Sequence, residues 1–197
     1  MPVYPDVRLM RKFKGRVAID LDDVILDFTG GLRSSVKTEY DVVIPPFRTW
    51  NIAAVLDPII GHSWWKWMKN RDWLWKTFPA VPGAIGSINI LRSNGYFIEI
   101  ITSKPDWAEA SVWQWMGRWR PSVDRVSLVR DGDIKADFSD ADILIDDKPQ
   151  NCEEWVASGR PAVLFSRPHN QQKVPHPLIH RADSWADVRA LVEELVP

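Results

Sequence analysis

The sequence predicts an α/β protein: a parallel sheet covered on both faces by helices, with a small helical insertion after the first strand. Three observations predict it. Five short β-branched or aliphatic runs read as buried strands, helix-like segments separate the later runs, and one long stretch after the first run breaks the rhythm. Strands alternating with helices pair in parallel and are buried on both sides, which is why the runs are apolar throughout rather than alternating.

The first run is RVAID at 16–20, and the break in rhythm follows it, from 29 to 80. That interval carries Pro45 and Pro46, several helical fragments and many of the tryptophans, and it is too long for a plain connection inside a compact domain. Residues 1–28 and 81–197 are therefore expected to form the core and 29–80 a cap seated over the sheet. The alternation then resumes: a helix in PGAIGSINILRSNG (82–95), a strand in FIEIIT (97–102), a helix in DWAEASVWQWMGRW (106–119) and a strand in RVSLV (125–129). DILID (142–146) and AVLFS (162–166) flank a helical PQNCEEWVASG (149–159), and SWADVRALVEEL (184–195) closes the chain with Ser184 as N-cap.

With 45% hydrophobic residues the 197-residue chain has ample material for one core. Its 25 basic and 26 acidic residues nearly cancel, which argues against a broad electrostatic grip on long nucleic acid and leaves small anionic ligands open. Cys152 is the only cysteine, so no disulfide or thiolate metal cage is expected. No apolar stretch is long enough for a membrane span, and the basic N-terminal MPVYPDVRLMRKFKG lacks an apolar signal core. A cytoplasmic setting is the expectation. The twelve tryptophans gather near 63–75 and 107–119 without a fixed period, so they read as packing rather than as a repeat.

The chemistry concentrates where strands end. In open parallel sheets, ligands bind outside the carboxyl ends of the strands. Three polar groups stand at such ends: Asp20, Asp22 and Asp23; Thr102, Ser103 and Lys104; and Asp146, Asp147 and Lys148. Two like charges about 4 Å apart in an intermediate dielectric repel by roughly 4 kcal/mol, so something positive is expected among the carboxylates. A carboxylate set with no thiolates and no histidine cluster favours a hard cation such as Mg²⁺. A calcium loop of the EF-hand type is excluded by Ile25 at the required glycine and Gly31 at the required glutamate. Pro177 between His176 and His180 argues against one helix face presenting both, and His62 and His169 add no metal set.

The order of these pieces resembles the haloacid dehalogenase (HAD) superfamily of phosphohydrolases. Asp20-Leu21-Asp22 matches its first motif, Thr102 in IITSKP its second, Lys135 in GDIKADF its third, and Asp146-Asp147 in ILIDDKP its fourth. Within it the chain resembles the 5′(3′)-deoxyribonucleotidases. The points of likeness are the apolar run to Phe28, Gly30 and Gly31, the PGA at 82–84, the TS at 102–103, LIDDKP at 144–149, HNQ at 169–171 and SWAD at 184–187. One departure stands out: Asp23 occupies the position where that family has glycine, adding a charge and removing backbone freedom.

The resemblance implies a Rossmann-like, HAD-like core and a Mg²⁺-dependent phosphatase acting on a nucleoside monophosphate. By it, Asp20 is the nucleophile and Asp22 the acid and base, with Mg²⁺ held by Asp20, the Asp22 backbone carbonyl and Asp146. Asp147 would orient the metal's ligands, or exchange roles with Asp146. Thr102, Ser103 and Lys135 would hold the phosphoryl group, with Lys14, Lys104 and Lys148 competing for Lys135's task. Phe28 and Trp75 would contact the base, Trp75 as the favoured member of a wall with Trp64 and Trp67, while Trp115 and Trp119 pack on the sheet. Lys148 would reach substrate or form a surface ion pair. HNQ has no assigned role. A homodimer follows from the resemblance alone. Alternatives of the same fold are a phosphatase for polynucleotide 3′-phosphates or another small ester, and a nucleotide binder without turnover.

Overall fold

The computed structural model describes residues 13–197; the reading of the N-terminal segment falls almost wholly on residues outside that range. Six parallel strands form one sheet in the order β3-β2-β1-β4-β5-β6. The strands are β1 (Arg16–Ile19), β2 (Phe97–Ser103), β3 (Arg125–Val129), β4 (Ile143–Asp146), β5 (Ala162–Phe165) and β6 (Ile179–Ala182). The five strands expected from the apolar runs are all present. The sixth, IHRA, was not foreseen: it is an edge strand whose residues are mostly half-exposed or exposed, so it carries no apolar signature.

Strand alternation sorts the core into two layers, as a pleated sheet requires. Val17, Ile19, Ile98, Ile100, Ile143 and Ile145 face one way and pack with Ile88 and Leu91 of α4 (Ala84–Ser93), Val112 and Trp115 of α5 (Glu109–Trp119), and Trp185 and Val188 of α7 (Trp185–Leu195). Ala18, Ile101, Leu144 and Leu164 face the other way, against Cys152 and Trp155 of α6 (Pro149–Val156). At about 25 cal/mol per Å² of apolar surface, each of the fully buried tryptophans adds several kcal/mol to this core. Ser184 caps α7 by accepting the Asp187 N–H through its side chain.

Between β1 and α4 lie α1 (Phe28–Tyr40), α2 (Ile52–Ile60), α3 (Trp64–Lys69) and a 3₁₀ turn over Asp72–Thr77. Their apolar residues Leu32, Val36, Leu56, Trp67, Leu74 and Trp75 join the first core layer. Among the described residues, no helix is long and apolar enough to cross a membrane. Because β1 neighbours both β2 and β4, the chain order reverses at the centre of the sheet, which is where a crevice opens at the strand ends.

Candidate active site

Three backbone features bring the acidic groups together. Asp20 is the first residue past β1, and its N–H donates to the Ile145 carbonyl at 2.8 Å, which aligns it with the end of β4. Asp146 is the last residue of β4. Lys135 opens a 3₁₀ turn (Lys135–Asp137) before β4 and is 3% exposed. Its Nζ donates to Asp20 Oδ1 at 2.5 Å and to Asp146 Oδ2 at 2.7 Å. Burial pulls the Lys135 pKa down, but the facing Asp146 and Asp20 carboxylates overcome it, and the net shift is upward.

The start of α6 holds Asp146 from the other side. The Lys148 N–H donates to Asp146 Oδ1 at 2.8 Å and Asn151 Nδ2 to Oδ2 at 2.9 Å. Pro149 at the helix start sets this geometry, since it needs no N–H partner there.

Asp22 stands at the mouth, with 27% of its side chain exposed. Lys104 Nζ forms a salt bridge with its Oδ2, and Trp75 Nε1 donates to its Oδ1 at 3.3 Å. Burial raises its pKa, Lys104 opposes that, and the neighbouring charge of Asp20 adds to it.

Asp23 turns inward. It sits in the left-handed region at φ 57°, where the family's glycine would be at ease, and only 2% of it is exposed. Its Oδ1 accepts the Thr29 N–H at 3.0 Å, the Thr29 hydroxyl at 2.9 Å and Arg167 at 3.2 Å, so the left-handed turn is held by polar contacts at the start of α1. Burial raises its pKa to about 7 against the opposing pull of Arg167.

Asp147 faces Asp23 and pairs with His169, whose Nε2 lies 2.8 Å from its Oδ2. Burial, then the charges of Asp23, Asp146 and Asp20, push Asp147 well up, while burial and Arg167 push His169 down to about 4. Asn170 fixes the same loop by donating to the Asp147 and Phe165 carbonyls at 2.6 and 2.8 Å. The HNQ segment, for which the sequence suggested no role, is thus the bracket behind the fourth motif. His169, Asp147 and Asp23 form a group of close potential ligand atoms, so His169 joins carboxylates rather than the other histidines.

Asp20, Asp22, Asp23, Lys135, Asp146, Asp147 and Asn151 line a pocket of about 170 Å³ that also takes in Phe28, Trp50, Thr102, Ser103, Asp131 and Lys148. Of the aromatic wall expected from the sequence, Phe28 alone reaches the pocket. Trp75 is 1% exposed, stacked on Phe28 at 5.4 Å; Trp67 is fully buried and donates to Glu39; Trp64 packs on Trp65. The expectation of an open wall is corrected accordingly: Trp67 and Trp75 are spent on the core layer they share with the sheet. Trp50, unforeseen, lies 45% exposed over His169 with ring centroids 4.1 Å apart. Lys148 forms no ion pair among the described residues, and Lys14 is not among the lining side chains. Lys104, a competitor for Lys135's task in the sequence, pairs with Asp22 instead, and Asn151 escaped the sequence reading of the site because it meets Asp146 only once α6 turns it back.

The sequence model of the family described as 5′ nucleotidase, deoxy (Pyrimidine), cytosolic type C protein matches residues 14–196. The chain belongs to this family. Human mitochondrial 5′(3′)-deoxyribonucleotidase is 23% identical over 185 residues, covering 87% of this chain and 79% of that protein. A Chlorobaculum tepidum protein named as a candidate 5′(3′)-deoxyribonucleotidase is 24% identical over 192 residues, covering 91% of each. Among solved structures, the candidate HAD-hydrolase YfnB of Bacillus subtilis, bound to magnesium, superposes with a TM-score of 0.66 at 10% identity, over 92% of this chain and 99% of that one. This deoxyribonucleotidase-like member of the HAD superfamily is a phosphoric monoester hydrolase with nucleotidase or phosphatase activity.

HAD-fold hydrolases use a divalent metal, and the donor set here fits one. Asp20 and Asp146 each turn a carboxylate oxygen to the Lys135 ammonium, which keeps those two oxygens no farther apart than the sum of the two distances, and both side chains offer oxygen donors. Among the described residues the Asp22 carbonyl accepts no hydrogen bond, which leaves it available as a third oxygen.

Proposed function

We propose that the protein hydrolyses deoxyribonucleoside monophosphates to nucleoside and phosphate with Mg²⁺, through an aspartyl-phosphate on Asp20. The observation that carries this reading is the convergence of Asp20 and Asp146 on Lys135, with Asp22 held beside them by Lys104 and Trp75. Mg²⁺ would be held by Asp20, the Asp22 carbonyl and Asp146, and when bound it supplies positive charge against the phosphoryl oxygens.

In the first step an Asp20 oxygen forms a bond to phosphorus as the ester P–O bond breaks. Asp22 gives its proton to the departing nucleoside oxygen, a role its raised pKa supports. In the second step the Asp22 carboxylate takes a proton from water, the water oxygen bonds to phosphorus, and the bond to Asp20 breaks to release phosphate. Lys135 balances charge on Asp20 and the transferring group, while Thr102 and Ser103 donate to phosphoryl oxygens. Asp147, held by His169, would orient the groups that hold the metal, and Lys148 contacts substrate. Phe28 borders the sugar, and Trp75 acts through Asp22. Residues 29–80 form the cap that excludes water. The same reading carries a homodimer and a cytoplasmic setting, the first of which sedimentation analysis tests directly.

Phosphate release across deoxy- and ribonucleoside monophosphates, with Mg²⁺ and with chelator, tests the reading. Turnover is expected for deoxyribonucleotides only when Mg²⁺ is present, and Asp20→Asn is expected to abolish it without unfolding the chain. Binding without phosphate release would leave only a nucleotide binder; release confined to 3′-phosphorylated oligonucleotides would favour the polynucleotide phosphatase.

A further inference from the structure

Lys135 stands in the connection 130–142 between β3 and β4, whose only regular element is the 3₁₀ turn that Lys135 opens. Ile134 and Phe138, on either side of that turn, are 42% and 51% exposed, so the large apolar residues beside it do not anchor it. Ahead of Lys135 the bonding stays within the loop, where the Arg130 N–H donates to Asp133 Oδ2 at 2.8 Å. An ammonium that must meet two carboxylates from such a loop needs its backbone held from outside.

We propose that Arg160 is the positioning residue for Lys135: its guanidinium fixes the loop and so holds the Lys135 ammonium between Asp20 and Asp146. Arg160 lies between α6 and β5. One of its terminal nitrogens donates to the Ala136 carbonyl at 3.0 Å, next in the chain to Lys135, and the other to the Ser139 and Ala141 carbonyls at 2.8 and 2.9 Å. No backbone N–H among the described residues donates to these three carbonyls, and Ser139 and Ala141 are 7% and 1% exposed. Without the guanidinium, buried acceptors would stand unpaired, which a loop avoids by changing its path. The guanidinium is itself fixed: Nε donates to Ser158 Oγ at 2.7 Å, and its carbon lies 3.9 Å from the centre of the fully buried Trp155 ring. Glu99 also reaches the loop, but only farther along, where it accepts the Ser139 hydroxyl at 2.6 Å.

One helix thereby sets both halves of the Lys135–Asp146 pair. The start of α6 holds Asp146 through the Lys148 N–H and Asn151, while Arg160, just past its end and stacked on its Trp155, holds the loop of Lys135. The separation of ammonium and carboxylate then follows from a rigid element rather than from an irregular connection. The part that Lys135 plays in the chemistry rests on the nucleotidase reading; its placement by Arg160 rests on these contacts alone.

Acetylation of lysines in the full chain with acetic anhydride, read by mass spectrometry of its peptides, tests the placement without substrate or metal. Lys104 is the internal reference, since its side chain is 1% exposed against 3% for Lys135 and it follows a different strand. A hydrogen bond from a charged donor corresponds to roughly tenfold or more in an equilibrium, so Arg160→Met is expected to raise labelling of Lys135 relative to Lys104 about tenfold. General loosening of the fold would raise both and leave the ratio unchanged. In phosphate release from a deoxyribonucleoside monophosphate with Mg²⁺, kcat is expected to fall about tenfold or more with little change in KM, because Lys135 acts on the transferring group. Arg160→Lys keeps a donor but not the planar fork and is expected to restore part of both. Trp113→Ala, exposed on α5, is the unaffected control. An unchanged labelling ratio in Arg160→Met overturns the proposal, as does a loss of activity carried wholly by KM. If that variant does not fold, Arg160→Gln takes its place under the same two criteria. A wild-type chain that releases no phosphate from any deoxyribonucleoside monophosphate would sink the nucleotidase reading instead, and the labelling ratio would still decide whether Arg160 places Lys135.

Discussion

Trp75 Nε1 lies 3.3 Å from Asp22 Oδ1, across 53 residues of sequence, and ties the insertion to the first motif. Trp75→Phe keeps an aromatic ring against Phe28 and removes this donor together with part of the indole's volume. One hydrogen bond contributes about 0.5–1.5 kcal/mol net, so kcat is expected to fall roughly three- to tenfold with little change in KM. A change confined to KM would show that the indole acts on substrate rather than on Asp22.

Lys135 separates two carboxylates that would otherwise face each other in a buried site. Lys135→Met leaves Asp20 and Asp146 unpaired there, and breaking a buried pair costs about 3–5 kcal/mol. Thermal melts in chelator should show that loss as a fall of several degrees, and saturating Mg²⁺ should restore much of it while activity stays lost. An equal loss with and without Mg²⁺ would mean that the ion does not sit between Asp20 and Asp146.

Five strands and the closing helix were legible because burial on both sheet faces forces continuous apolar runs, and because Ser184 announces its helix. The positions of Asp20, Asp22, Thr102 and Asp146 at or just past strand ends were legible from the apolar runs before them, whereas Lys135, in a turn ahead of β4, was singled out by the resemblance. The roles of the tryptophans were not: whether Trp67, Trp75 or Trp50 is exposed depends on how short helices of the insertion turn their faces, which no local pattern fixes. β6 hid for the opposite reason, since an edge strand with His180 and Arg181 has no apolar signature. The inward turn of Asp23 depends on Arg167, 144 residues away.

Asp23 should make the metal-free protein less stable as pH rises. Its folded pKa of about 7 lies above the 3.8 of a free aspartate, so between these values the folded state binds more protons than the unfolded one. The stabilising contribution is complete below about pH 4 and is lost as pH climbs through 7. His169, depressed to about 4, works in the opposite direction: its contribution is full above 6.5 and is lost as pH falls toward 4. Comparing Asp23→Asn with the wild type isolates the first effect. In chelator, the variant should gain stability at pH 8 relative to pH 5, by up to a few kcal/mol. A wild-type and variant difference that does not vary with pH would show that Asp23 is ionised throughout.

Gly31 sets how closely α1 approaches the ring beneath it. A Cβ built there would lie 2.4 Å from two ring atoms of Phe78, and Phe78 is 2% exposed. Phe78 in turn packs edge-on against Phe28 at 5.9 Å, and Phe28 borders the catalytic pocket. Overpacking of this kind costs about 1–3 kcal/mol, so Gly31→Ala should lower the midpoint of urea unfolding and, by displacing Phe28, raise KM more than it lowers kcat. Gly30→Ala is the informative comparison. The atoms nearest its Cβ belong to the carboxylate of Asp27, which is 30% exposed and can turn outward at the cost of its bond to Arg167, so a smaller loss is expected; equal losses at the two positions would mean that Phe78 yields as readily as Asp27.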